Sequence, residues 1–307
     1  MHHRAYLSNI PTDYTSAVSS VSVLPGSALK TVDIPISIIG DNVDEYNQTI
    51  TIGLGPTSGD ITNGSLHATN STTYVYTIND DDDPPSASIS GSGNNWEMNS
   101  QTLTVTLDRT SEKTTSFNWT VTDVTTTSTV DYTIPTDALQ ILAGVITGTN
   151  TVTGINDLTY EGDETFTVAI AADSNATLGT SSLTVTLLDD DTKSKCSFEG
   201  TGITFLESAG TVKIPFALDK VSGFETVVTY AYTDVSTTDD SDYGIVLGTI
   251  TIPAGSTLDS ISISITDDNL AEDTESIEFE ITDVGANTDL GEFPTTYLYI
   301  TELYLLH

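Results

Sequence analysis

The chain has 307 residues, 44 acidic and 8 basic, with a formal net charge of −36. That balance excludes nucleic acid and anionic membrane surfaces, which need Lys and Arg to displace counter-ions, and leaves cations as natural partners. A single cysteine, Cys196, excludes an internal disulfide, and no apolar run reaches the ~18 residues of a membrane-spanning helix.

The length suits two or three domains of about 100 residues. Hydrophobic content is only 37%, but it is well patterned, and the abundance of Thr, Ser, Val and Ile favours strands. The opening "MHHRAYLSN" has no apolar signal core. The first element of note is the pair Asp13-Tyr14. After it comes "IIGDNVDEYNQTITIGL" (38–54), a strand, an acidic turn and a second strand, and then the closing run "NDDDDPP" (79–85).

Farther along, "QTLTVTL", "TSFNWTVTD", "LQILAG", "NTVTGI", "TFTVAI" and "SLTVTLL" alternate apolar and polar residues, as half-buried strands do. Between them stand Asp131-Tyr132, the acidic turn of "GINDLTYEGDETFTVAI" (154–170) and the closing "LLDDDTK" (187–193). The last third repeats the order with "GTVKIPFAL", "TVVTYAYTD", Asp242-Tyr243, "GTITI", "SISISI", the turn of "SITDDNLAEDTESIEFEI" (264–281) and "TTYLYI". It closes on "YITEL", which keeps only Glu302. No segment carries a helical period.

These copies are in phase. Asp41, Asp157 and Asp268 correspond, as do Glu45, Glu161 and Glu272, at offsets of 111 to 116 residues, about one sandwich domain each. The expected fold is therefore all-β, an elongated array of tandem antiparallel immunoglobulin-like sandwiches. The expected units are 1–83, 84–191 and 192–303, with 304–307 a tail. The first is expected to be partial, because its Asp-Tyr pair lies at residue 13. A half-sandwich exposes apolar faces and open edges, so it calls for a neighbouring module or chain.

At one end of the middle sandwich, Asp131, Asp157, Glu161, Glu164, Asp189, Asp190 and Asp191 would crowd together. Two carboxylates ~4 Å apart repel by ~4 kcal/mol at an effective dielectric near 20. A hard divalent cation relieves that repulsion. An oxygen-only set of flexible size suits calcium (Ca2+) better than magnesium, and no His or Cys lies near to suit zinc.

The order of a Glu, a "DY" pair, an "IxDDxxxExxExFxVxI"-like turn and a closing Asp run resembles Calx-β modules. These are the Ca2+-binding sandwiches of sodium–calcium exchangers, integrin β4 and many bacterial surface proteins. The resemblance covers nearly the whole chain. It implies an added first-strand ligand, Glu97 in the middle unit and Glu207 in the third. The implied set in the third unit is completed by Asp242, Asp267, Asp268, Glu272 and Glu275. In the first unit it comprises Asp13, Asp41, Glu45, Asp80, Asp81 and Asp82. There are departures: Gln48 stands where the others have Glu164 and Glu275, Asn156 precedes Asp157, and the third unit lacks the closing Asp run. The middle site is thus expected to be the strongest.

Catalysis is not expected. His2, His3 and His307 sit at the termini, His67 lies in a Gly/Ser/Asn loop, and Trp96 and Trp119 read as packing residues on strands. The expected role is a calcium-stiffened extracellular or cell-surface adhesion array. One alternative is a filament subunit, with copies of the chain completing the first unit and "TTYLYITELYLLH" as a candidate donated strand. A calcium sensor ranks third.

Overall fold

The computed structural model describes residues 2–3, 5–8, 13–16, 21–22, 33–54, 73–91, 95–127, 130–134, 137–236, 242–268 and 272–302. Among them the only helical turn is a 3-10 turn at Glu207–Ala209. None of them forms a helix long and apolar enough to cross a membrane.

The middle unit is a pair of five-stranded sheets. One runs Tyr132–Thr133, Thr147–Gly154, Ser100–Leu107, Ser86–Gly91, Thr177–Leu178; the other runs Leu139–Ile141, Thr115–Asp123, Glu164–Ser174, Ser182–Leu188, Asn95–Trp96. The period of two dictates which faces meet. In Ser100–Leu107, Gln101, Leu103, Val105 and Leu107 point inward, while Ser100, Thr102 and Thr106 face water. The inward set meets Phe117, Phe166, Val168, Val185 and Leu187 in one core.

The third unit repeats this plan. Its sheets run Tyr243–Ile245, Leu258–Ile265, Thr211–Leu218, Ser194–Phe198, Thr288–Leu290 and Gly202–Leu206, Thr295–Thr301, Glu275–Asp283, Thr226–Asp234, Thr249–Ile252. Ile214, Phe216, Val228, Ile263, Phe279 and Leu298 fill its core. Even irregularities repeat, for the register slips at Ser116/Phe117 in the middle unit and at Thr229/Tyr230 in the third.

The first unit contributes a three-stranded sheet, Ala5–Ser8, Gln48–Leu54, Thr73–Ile78, and two strand pairs, Tyr14–Ser16 with Ile36–Ile38 and His2–His3 with Val21–Ser22. Tyr74, Val75 and Tyr76 are exposed on the edge strand of that sheet.

Several details depart from the sequence reading. The strand expected over "LQILAG" stops at Ile141, because Gly144 adopts a left-handed φ of 75°. Trp96 is half exposed, whereas Trp119 packs against the core. The stretch "TTYLYI" pairs with Glu275–Asp283 and Gly202–Leu206 of its own unit, and residues 303–307 lie outside the described residues. His67 lies outside them too.

Candidate metal centre

The Asp-Tyr pairs of the middle and third units have two functions. The tyrosine faces inward: Tyr132 is buried, stacks on Phe166 at 4.0 Å and donates its hydroxyl to Asp123 Oδ1 at 2.6 Å. Tyr243 donates likewise to Asp234. Burial, then the Asp123 carboxylate, holds the Tyr132 hydroxyl far above its ordinary range. The aspartate beside it faces the end of the sandwich. Its carbonyl accepts the strand that leads to the acidic turn: Ile39 N to Asp13 O, Ile155 N to Asp131 O and Thr266 N to Asp242 O, each at 2.8 Å.

The acidic turn is braced from the closing strand. Asp189 Oδ2 accepts the Glu161 and Gly162 amides at 2.8 and 2.5 Å, while its Oδ1 accepts Asp191 N at 2.8 Å. Asp80 does the same for Glu45 N at 3.2 Å and Asp82 N at 3.3 Å. In the third unit the brace is Glu302, whose Oε2 accepts Glu272 N at 3.1 Å. The sequence reading passed over Glu302 because it stands alone where the other units have a run of aspartates. Its place in the repeat was the available signal.

In the middle unit this scaffold gathers two carboxylate sets, Asp131 with Glu161 and Glu164, and Glu97 with Asp189 and Asp191. Within each set one oxygen per residue lies within 4.8 Å of the others. Asp131 and Glu97 are buried, while Asp157 and Asp190 are exposed at the rim. In the third unit Asp242, Asp268 and Glu272 form one such set. There Glu207, buried, accepts the Asp268 amide at 3.0 Å, and the buried Glu275 is hydrogen-bonded to Asp242. Asp267 is exposed and outside the set. In the first unit Asp13, Asp41, Glu45, Asp80, Asp81 and Asp82 line one shallow cleft with Gln48.

The electrostatics of the middle cluster follow from that crowding. Burial, followed by Asp189, Asp157, Glu161 and Asp190, pushes Glu97 up from 4.5 to about 7. Burial and then Asp131 raise Glu164, and burial with Asp157 and Asp131 raises Glu161. Among the described residues no ion pair reaches these six side chains. Asp191 Oδ2 is shut off from water without any hydrogen-bond donor. An orphaned buried carboxylate oxygen is costly, and a cation satisfies it. The donors are all oxygen, anionic and only partly constrained, which fits a hard ion such as calcium.

The acidic turns also form the joints between units. Asp44 makes a parallel bridge with Ser111, and Glu112 N donates to Asp44 O at 2.9 Å. One repeat later Tyr160 bridges Ser222, and Gly223 N donates to Tyr160 O at 3.1 Å. The following residues differ. At the first joint Lys113 Nζ reaches Asp44 at 2.6 Å and Asp80 at 2.9 Å, 5.6 Å from the centre of the Tyr46 ring. At the second, Tyr160 packs on Phe224 at 5.8 Å between ring centres. Close approach explains the glycines here: a Cβ on Gly223 would lie 2.6 Å from Glu161 Cγ.

A family model described as the Calx-beta domain matches the chain three times, over residues 8–82, 80–191 and 189–296. Among solved structures, the chain is similar to the one titled "Crystal structure of CBD12 from CALX1.2", with 17% identity over 69% of this chain and 99% of that one and a TM-score of 0.34. It is also similar to the "Crystal structure of Apo-form Calx CBD1 domain", with 17% identity over 37% of this chain and 100% of that one and a TM-score of 0.35. A search of curated proteins found no match.

Proposed function

The chain belongs to the Calx-beta domain family, and on that premise we propose that it is a calcium-binding array in which ions held by the acidic turns fix the angle between successive units at a cell surface. Calx-beta domains are calcium-binding domains. The observation that carries the reading for this chain is the pair of carboxylate sets in the middle unit, with its donorless Asp191 oxygen. Asp131, Glu161 and Glu164 would hold one ion, and Glu97, Asp189 and Asp191 a second. In the third unit Asp242, Asp268 and Glu272 would hold another, with Glu302 bracing the turn as Asp189 does. The same residues that would take the ion also fix the turn that touches the next unit. Glu161 lies between Tyr160, bridged to Ser222, and Gly162, bonded to Asp189. Neutralising the cluster therefore stiffens the joint directly.

Bound cations supply positive charge to a face where six clustered carboxylates meet little more than the Lys220 charge acting on Asp191. An ion at 100 times its dissociation constant adds about 2.7 kcal/mol per independent site. Millimolar extracellular calcium is enough for weak modular sites of this kind, which supports placing the array outside the cell. The test is thermal unfolding of the full chain in chelator and in millimolar calcium, with magnesium as the control. A calcium-specific rise in midpoint supports the reading, and equal midpoints in all three solutions overturn it.

Self-association is a second reading. The exposed Tyr74, Val75 and Tyr76 on the edge strand Thr73–Ile78 favour it, since open apolar edges recruit further strands. Light scattering in the same solutions tests it, and a monomeric mass at every concentration would count against it.

A further inference from the structure

The two joints carry different chemistry at the same position, and the difference concerns charge. Lys113 belongs to the middle unit, yet its ammonium lies in the acidic turn of the first. It bonds Asp44 Oδ1 at 2.6 Å and Asp80 Oδ2 at 2.9 Å. Asp44 is 1% exposed, and its other oxygen accepts the Ser111 hydroxyl at 2.7 Å. Both oxygens of this buried carboxylate are therefore satisfied by the neighbouring unit. A buried carboxylate is tolerable only when paired and hydrogen-bonded, and burying it this deeply requires the joint to be closed.

Asp80 is the brace of the first turn, the counterpart of Asp189 in the second. Its Oδ2 already accepts Glu45 N, so Lys113 adds a charge to the atom that holds the turn together. At Asp189 the donors are three backbone amides, from Glu161, Gly162 and Asp191, and no ammonium. The position matching Lys113 is Phe224, two residues after the bridging serine in both cases. Asp44 is likewise replaced by Tyr160. The second joint thus exchanges a direct ion pair for an aromatic contact, and its brace Asp189 takes no ammonium, the Lys220 charge acting on Asp191 without a direct ion pair.

We propose that Lys113 is a tethered counter-ion for the first acidic turn, which keeps the first joint closed in the absence of metal and leaves the second joint as the one that calcium controls. The proposal rests on the ion-site reading above for its contrast between the joints, but the role of Lys113 does not depend on any metal binding.

The experiment uses the full chain with pairs of engineered cysteines carrying spin labels. One pair, at the exposed Thr77 and Thr106, spans the first joint, and the other, at Thr184 and Lys213, spans the second. Cys196 is buried and stays unlabelled. Distance distributions are recorded in chelator and in calcium. The first pair is expected to give the same narrow distribution in both solutions. In Lys113→Met it loses that narrow distribution in chelator, and Lys113→Arg, which keeps the charge, restores it. A first joint that broadens in chelator in the unsubstituted chain overturns the proposal. So does a Lys113→Met chain whose first joint stays narrow in chelator. The second pair reports separately on the proposed function: a distribution equally narrow in chelator and calcium would remove calcium control while leaving the Lys113 result to stand by itself.

Discussion

Replacing Glu97 with glutamine should have opposite effects on the two forms of the protein. Glu97 is 4% exposed and sits among Asp189, Asp157, Glu161 and Asp190. Its carboxyl titrates at about 7 in the fold against an ordinary 4.5. Holding it ionised at pH 8 therefore costs the metal-free fold about 3 kcal/mol by linkage, which solvent screening on the open side of the cluster reduces to about 1–2 kcal/mol. Glutamine keeps the shape and removes the charge. The metal-free middle unit should gain that 1–2 kcal/mol, or about 5–10 °C in midpoint for a module of this size. The calcium-loaded form should lose, because a neutral carbonyl replaces an anionic ligand. A ten-fold weaker site subtracts about 1.4 kcal/mol from the ion's contribution. Calorimetry of the full chain with and without calcium reads both signs, and hydrogen exchange along Ser182–Leu188 assigns the transition to the middle unit. A variant that is less stable in both forms by the same amount would refute the reasoning, because it would make Glu97 an ordinary packing residue.

Two further outcomes follow from the same geometry. Glu97, Glu161, Glu164 and Glu275 all titrate higher in the fold than in the unfolded chain, so the fold holds their protons more tightly. That contribution is complete below the unfolded value of 4.5 and is lost as pH rises through the folded ones. The metal-free midpoint should fall between pH 5 and pH 8, while calcium affinity rises over the same interval; a metal-free midpoint that climbs with pH would contradict the crowded-carboxylate picture. Gly154→Ala places a Cβ 2.2 Å from the Glu97 carbonyl oxygen, so the backbone that presents Glu97 must move. A loss of about 2–3 kcal/mol is expected from such overpacking, with weaker calcium binding by titration calorimetry. Gly40→Ala, which meets nothing within 4 Å, should leave both quantities unchanged.

The repeat and most long strands could be read directly from the sequence, because an alternating pattern such as Ser100–Leu107 declares its buried face residue by residue. The short strands could not. Asn95–Trp96 and Gly202–Leu206 owe their place to parallel partners about 90 residues away, and their own composition is not distinctive. Among the acids, in-phase spacing pointed to Asp131, Glu161 and Glu164, which the fold gathers. Asp190 shares the spacing but points to water between the half-buried Asp189 and Asp191, since a run of adjacent acids on an extended chain alternates sides, and Asp267 is exposed outside the set that its neighbour Asp268 joins. The pairing of Lys113 with Asp44 spans 69 residues and two units. No local pattern announces it, although Ser111 and Ser222 stand at the repeat offset and mark both joints.

The parallel strands at the ends of the units also govern how the array bears tension. In the third unit Gly202–Leu206 lies alongside Thr295–Thr301 in five register pairs, from Gly202↔Tyr297 to Leu206↔Thr301. Pulling residues 194 and 302 apart drags these two parallel strands past each other, so their hydrogen bonds are sheared together instead of being unzipped singly. In the middle unit the described part of the matching contact, Leu187↔Asn95 and Leu188↔Trp96, runs parallel in the same way. Both units should therefore rupture abruptly in a single-molecule pulling record, without gradual unzipping.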